Sequence, residues 1–201
     1  MIDLFIRVNL LFSSGKSAVT KRNVYYLPGM GGRLDIGLGL ALLSRSFNLQ
    51  GRELTGEFRK LDFGQQIDCV VSDLQSIELE DGGRVIANSF GAYLLLHALA
   101  QMPPFTGKVL LLSPIVGQLS NAATQMGFVP PLADRLGEIA RAGAFPVPKQ
   151  CEIHVGADDW QSNPANVTKF GSMVDIVVNV VPNAGHSLSK EYVGGVLDLW
   201  T

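Results

Sequence analysis

Apolar positions along this chain change their period again and again. Residues 24–27 form an unbroken apolar and aromatic run that stops at Pro28-Gly29. Further runs of strand length, rich in Val, Ile and Leu, cover 49–54, 84–88, 109–112, 151–155 and 174–181. Helix-length segments lie between and after them, at 34–46, 63–77, 90–101, 163–170 and 188–200. Ile67, Val70, Val71 and Leu74 recur on one face of the second segment. The third is apolar almost throughout and ends at Met102-Pro103-Pro104. The run 109–112 lacks polar alternation, as expected of a strand covered on both faces. Strands separated by helix-length crossovers predict parallel βαβ units, with helices on both sides of one sheet.

Two regions break this rhythm. Residues 115–149 are rich in Gly and Pro, carry one helix at 132–142, and read as a small cap or lid excursion. Residues 1–23 read as an extra edge strand or hairpin. Within them Ser13-Ser14-Gly15-Lys16-Ser17 matches half of a phosphate-binding loop, but the position of that loop's first glycine is Leu10.

With 201 residues, 47% of them hydrophobic and 17% charged, the chain has enough apolar material for one sizeable core, and a single domain over 1–201 is expected. Sixteen Lys and Arg against eighteen Asp and Glu leave a net charge of -2, with no basic cluster. No nucleic-acid partner and no membrane insertion are therefore expected. Met1 to Phe12 makes a poor signal peptide because it carries Asp3 and Arg7, so a cytoplasmic location is expected. Cys69 and Cys151 have no metal-ligand spacing and read as small apolar side chains.

The chemistry concentrates in Val85-Ile86-Ala87-Asn88-Ser89-Phe90-Gly91-Ala92-Tyr93. A buried strand here enters a helix through one serine, with Ala87 and Gly91 two residues to either side, which fits the tight G-x-S-x-G nucleophile turn. Asn88 or Ser89 as a simple helix N-cap is the competing reading. A serine needs a base, and the base needs an orienting acid. Asp158 and Asp159 follow the strand 151–155, and His186 follows the strand that ends at 181. The order is Ser, Asp, His, each just past a separate strand. His97, inside an apolar helix, and His154, inside a strand, read as structural histidines.

From residue 24 to the end, these features resemble the α/β-hydrolase superfamily, in particular its compact members with a small or missing cap. The resemblance implies a three-layer fold with a mostly parallel central sheet and helices on both faces. It implies Ser89 as nucleophile, His186 (after Gly185) as base, and Asp159, three residues after Gly156, as the acid. One shifted residue in that turn would substitute Asp158. It also implies an oxyanion hole from the backbone N–H groups of Met30 and Phe90, although Pro28 stands where the family commonly has histidine. The implied activity is hydrolysis of a carboxylic ester or thioester of a small acyl substrate, without a cofactor.

Two other functions remain open on these residues. Gly29-Met30-Gly31 begins a dinucleotide-binding fingerprint, and Glu53 sits where a ribose-binding acid would, but the third glycine is Leu34. A hydrolase-fold protein that only binds its ligand is the other. For an acyl pocket the candidates are Ile115, Met126, Phe128, Val129, Leu132 and Trp160, which could equally just pack the excursion down. Arg33 reads as a solvated residue or a carboxylate-recognising one.

Overall fold

Side-chain alternation along the central strands feeds two separate cores. Tyr25, Leu27, Val85, Ala87, Val109, Leu111, Ile153 and Val155 lie in one; Val24, Tyr26, Leu49, Ile86, Leu110 and Leu112 lie in the other. Strands that bury both faces carry no polar alternation, which is why they read as continuous apolar runs. In a computed structural model of the chain, which describes residues 22–76, 83–121 and 126–200 and the backbone of 6–8, these strands belong to one seven-stranded sheet.

The elements in chain order are β1 (Ile6–Val8), β2 (Asn23–Leu27), α1 (Leu38–Ser44), β3 (Asn48–Gly51), α2 (Gly56–Lys60), α3 (Phe63–Ser76), β4 (Arg84–Asn88) and α4 (Phe90–Leu99). Then follow β5 (Lys108–Leu112), β6 (Leu119–Asn121), β7 (Met126–Phe128), α5 (Arg135–Arg141), β8 (Gln150–Gly156), α6 (Pro164–Val174), β9 (Val177–Val181) and α7 (Lys190–Trp200). The sheet order is β1-β3-β2-β4-β5-β8-β9, with β1 antiparallel and the rest parallel. Side chains of α3, α4, α5 and α6 fill the first core, and those of α1 and α7 the second. The sequence order reverses between β2 and β4, so the loops after these two neighbours diverge and leave a crevice at the carboxyl edge.

A buried charge network ties β2 to the loop after β3. Both Asp73 oxygens accept from the Arg52 guanidinium, and the Tyr25 hydroxyl donates to Asp73 Oδ2 at 2.7 Å. Arg52 also lies over the Phe58 ring, 5.3 Å from its centroid.

Several boundaries differ from expectation for identifiable reasons. The strand expected at 49–54 stops at Gly51, where a Cβ would stand 2.0 Å from the Tyr26 carbonyl oxygen; Arg52 and Glu53 turn away to polar partners. The run 174–181 is divided. Val167, Phe170, Gly171 and Val174 continue the buried face of α6, Asp175 ends it in the left-handed region, and β9 starts at Val177. An apolar run alone does not tell where a helical period gives way to a strand. The 132–142 helix shortens to α5, and helix α2 and the β6–β7 hairpin had no counterpart in the sequence reading. β1 is the edge strand expected before residue 23, whereas Ser13–Ser17 lies outside the described residues.

Candidate active site

Ser89 occupies the turn from β4 to α4 with φ 53° and ψ -123°, a strained conformation for a residue with a β-carbon. Its neighbours make that turn possible. A Cβ on Gly91 would stand 2.1 Å from the Pro28 carbonyl oxygen, so the helix approaches the β2 loop only because position 91 is glycine. The Ser89 amide donates to the Leu112 carbonyl at 2.9 Å, which anchors the turn to β5. Its side chain makes no capping hydrogen bond, and the N-cap reading is set aside.

The Ser89 hydroxyl lies 2.8 Å from His186 Nε2. His186 Nδ1 lies 3.0 Å from each Asp159 oxygen. Asp159 is 1% exposed, and its Oδ1 also accepts the backbone N–H groups of Gln161 and Ser162, both at 2.9 Å. Burial on its own would raise the Asp159 carboxyl. The donors on His186 and Ser162 outweigh burial and hold it below its ordinary value. Asp158 is exposed, and its amide donates to the Ala184 carbonyl at 2.9 Å, so the carboxylate brought to His186 is that of Asp159.

The two loops carrying these groups are held against each other by backbone. Ala157 N–H donates to the Val181 carbonyl at 2.9 Å, beside the Asp158–Ala184 bond. A Cβ on Gly156 would stand 2.2 Å from the Ala184 oxygen, which explains why glycine ends β8. Sequence reasoning missed Ser162, whose hydroxyl donates to the Ser113 carbonyl at 2.7 Å and lies 3.4 Å from His186 Nδ1. The Asp-x-x-Ser spacing is a signal for it, since an aspartate readily accepts the amides two and three residues on.

Met30 follows β2 across from Ser89. The Gly31 and Gly32 amides are bonded to Leu54 and Gly29 carbonyls, whereas the Met30 amide has no acceptor among the described residues. The Phe90 amide opens α4, where a helix has no internal acceptor to offer. Both backbone donors thus stand beside the Ser89 turn.

A cavity of about 740 Å³ adjoins Ser89 and His186. Leu38 and Ala41 of α1, Val193 and Leu197 of α7, and Met30 and Leu188 line it. Its charged lining residues among those described, Arg45 and Lys190, are both basic. Arg45 ties the walls together by donating to Asp198, Ala41 and Gly194. The six expected pocket residues do not line this cavity. Ile115 packs into the first core, Trp160 is half-buried, and Met126, Phe128, Val129 and Leu132 are exposed. The described residues of the 115–149 excursion lie over the α4 side of the sheet, where Leu136, Ala140 and Phe145 anchor it in the first core, and the Tyr93 hydroxyl donates to the Pro131 carbonyl at 2.6 Å. The cavity opens on the opposite, α1–α7 side.

Other expectations resolve on contacts. The Glu53 carboxylate accepts the Leu34 amide at 3.0 Å, so it serves the β2 loop rather than facing a ligand. Arg33 is exposed and pairs with Asp35. His97 is buried edge-on to Tyr93 and Phe63, and burial, then Arg135, lowers it to about 4. His154 Nδ1 lies 2.8 Å from the Tyr192 hydroxyl. Cys69 and Cys151 are half-buried free thiols, and burial raises Cys151 to about 12.

No family model matches the sequence, and no curated protein sequence matches it. Solved structures do. TT1662 from Thermus thermophilus is similar at TM-score 0.63 and 18% identity, over 90% of this chain and 89% of that one. Est1E from Butyrivibrio proteoclasticus is similar at TM-score 0.63 and 13% identity, over 89% and 86%. Mouse alpha/beta hydrolase domain-containing protein 10 is similar at TM-score 0.63 and 13% identity, over 96% and 89%. The chain has the α/β-hydrolase fold. In this α/β-hydrolase fold Ser89, Asp159 and His186 come from the loops after β4, β8 and β9, and Met30 from the loop after β2, all on the carboxyl edge of one sheet. Among the described residues no helix is long and apolar enough to cross a membrane.

Proposed function

We propose that the protein is a serine hydrolase that cleaves a carboxylic ester or thioester through an acyl-enzyme on Ser89. The observation that carries this is the unbroken file from the Ser89 hydroxyl through His186 to the buried Asp159, at 2.8 and 3.0 Å. Asp159 is ionised and accepts only, so the proton of neutral His186 sits on Nδ1 and leaves Nε2 to accept from Ser89. As the serine oxygen bonds to the substrate carbonyl carbon, its proton passes to Nε2. The negative charge on the carbonyl oxygen is met by the Met30 and Phe90 amides; such donors are worth roughly 3–4 kcal/mol each in enzymes of this type. Collapse breaks the bond to the leaving alcohol or thiol, which takes the proton from Nε2. Water then gives a proton to the same nitrogen and attacks the acyl carbon, and Ser89 leaves as it takes that proton back from Nε2. The apolar walls between α1 and α7 suit an acyl chain.

The test is labelling of the protein and its Ser89→Ala variant with a fluorophosphonate probe, read by mass spectrometry, alongside hydrolysis of aryl esters of graded chain length. One adduct on Ser89, none on the variant, and ester turnover that falls to background in the variant are expected. Folded protein that takes up no probe and hydrolyses no ester would overturn the proposal in favour of a binding role.

A further inference from the structure

The sheet has two edges, and they are built differently. At one, β1 runs antiparallel along β3. At the other, β9 pairs with β8 and no described strand follows it. Edge strands are usually guarded against pairing by a charge, a proline or a bulge. β9 reads Val177-Val178-Asn179-Val180-Val181 and contains neither a charge nor a proline. Val177 is 66% exposed and Val180 45%.

We propose that β9 is a self-association edge, which pairs antiparallel with β9 of a second copy of this chain and joins the two sheets. Hydrogen-bonding direction sets the register. The Val181 carbonyl accepts the Ala157 amide and so points toward β8. Backbone polar groups alternate sides along a strand, so Val177 and Asn179 point inward with Val181, while Val178 and Val180 hold their N–H and C=O outward. The strand reads the same in both directions about Asn179. A two-fold axis there sets Val178 against Val180 of the partner subunit and Asn179 against its own copy. Each Val178–Val180 pair then exchanges two backbone hydrogen bonds, about four in all. The next outward positions close the ladder: Pro182 has no N–H, and the Ile176 amide is bonded to the Gly171 carbonyl.

About that axis every cross-strand pair sets Val against Val or Asn against Asn and no charge meets its own copy, which favours a second copy over an unrelated partner. Strand pairing alone falls short of the roughly 1,200–2,000 Å² that a stable interface buries. The surface beside it extends the contact. Val177 shares a groove of about 690 Å³ with Val196, Trp200 and Leu199, the last 90% exposed. The charged residues along that groove, Lys108, Lys149, Glu152 and Asp175, carry both signs, so no like-charge field opposes the approach.

The experiment is sedimentation of the full chain at micromolar concentration, with two variants. The Val180 amide points outward, so Val180→Pro removes a hydrogen bond of the proposed pair and none of the chain's own sheet. Wild type is expected at twice the chain mass of 21.6 kDa. Val180→Pro is expected to weaken the dimer by about a hundredfold or more, through two lost bonds and two stranded carbonyls. Asn179→Cys serves where Val180→Pro fails to fold. Its thiols meet across a non-hydrogen-bonded pair with Cα atoms about 4.5 Å apart, within disulfide reach, and should form a covalent dimer under oxidation. Val177→Cys and wild type should not. A monomeric wild type, a dimer that Val180→Pro leaves intact, or an Asn179→Cys chain that stays uncrosslinked would each overturn the proposal. Ester hydrolysis is read separately on every variant and is expected to persist, so loss of the dimer and loss of the hydrolytic reading are distinguishable.

Discussion

Replacing Asp159 by asparagine changes one atom in a residue that is 1% exposed, and the consequence follows from who donates to whom. The remaining carbonyl oxygen can still accept the Gln161 and Ser162 amides that Oδ1 accepts now. The new NH₂ then faces His186 Nδ1, 3.0 Å away, and a donor there forces Nδ1 to become the acceptor. The imidazole proton moves to Nε2, so the nitrogen 2.8 Å from Ser89 donates instead of accepting and can no longer take the serine proton. In serine enzymes of this design that tautomer error costs about 10⁴ in kcat, equivalent to about 5 kcal/mol of barrier. The assay is kcat on an aryl ester for wild type, Asp159→Asn and Asp158→Asn, with melting temperatures to verify folding. Asp158→Asn should stay within a few-fold of wild type, since its side chain is exposed and only its backbone is used. A loss under about tenfold in Asp159→Asn, or equal losses in both variants, would refute the assignment of the acid.

Gly156→Ala should place a methyl 2.2 Å from the Ala184 oxygen and push the Asp159 and His186 loops apart; a shift near 1 Å costs about a hundredfold in rate, and an unchanged kcat would show that the loops do not need this approach. Asp73→Ala strands the Arg52 charge in the interior and should destabilise the fold by about 3–5 kcal/mol in urea unfolding; a loss under about 1 kcal/mol would mean that Arg52 reaches water. His97 is lowered by burial from 6.5 to about 4, so the unfolded chain binds its proton first. Its stabilisation is full above 6.5, declines by up to about 3 kcal/mol as pH falls from 6.5 to about 4, and then levels off. His97→Phe should remove that part of the acid loss, and identical pH profiles for the two proteins would refute it.

The site was legible because each of its parts leaves a local mark. Ala87, Ser89 and Gly91 report a turn whose tightness is a property of a few consecutive residues, and the close approach of Gly91 to the Pro28 carbonyl is its physical cause. Asp159 and His186 sit at strand ends that the apolar runs outline. Choosing between Asp158 and Asp159 was different, because adjacent residues in a turn point different ways and only the folded loop decides which is buried. The division of 174–181 between α6 and β9 likewise depends on what packs against Val174, since helix and strand both bury valine.

The cavity beside Ser89 is the plainest case of information that the chain order does not contain. Met126, Phe128, Val129 and Leu132 are apolar and lie within the excursion, yet they end up exposed. The walls come instead from α1 and α7, separated by most of the chain and brought together across β2 and β4 with Arg45 spanning them. Period, turn chemistry and the order of Ser, Asp and His are short-range properties, so sequence alone determined the layered fold and the candidate nucleophile, base and acid turn. Which side of the sheet opens beside Ser89, and which carboxylate meets His186, were decided by tertiary packing, because each depends on contacts between segments that no local pattern links.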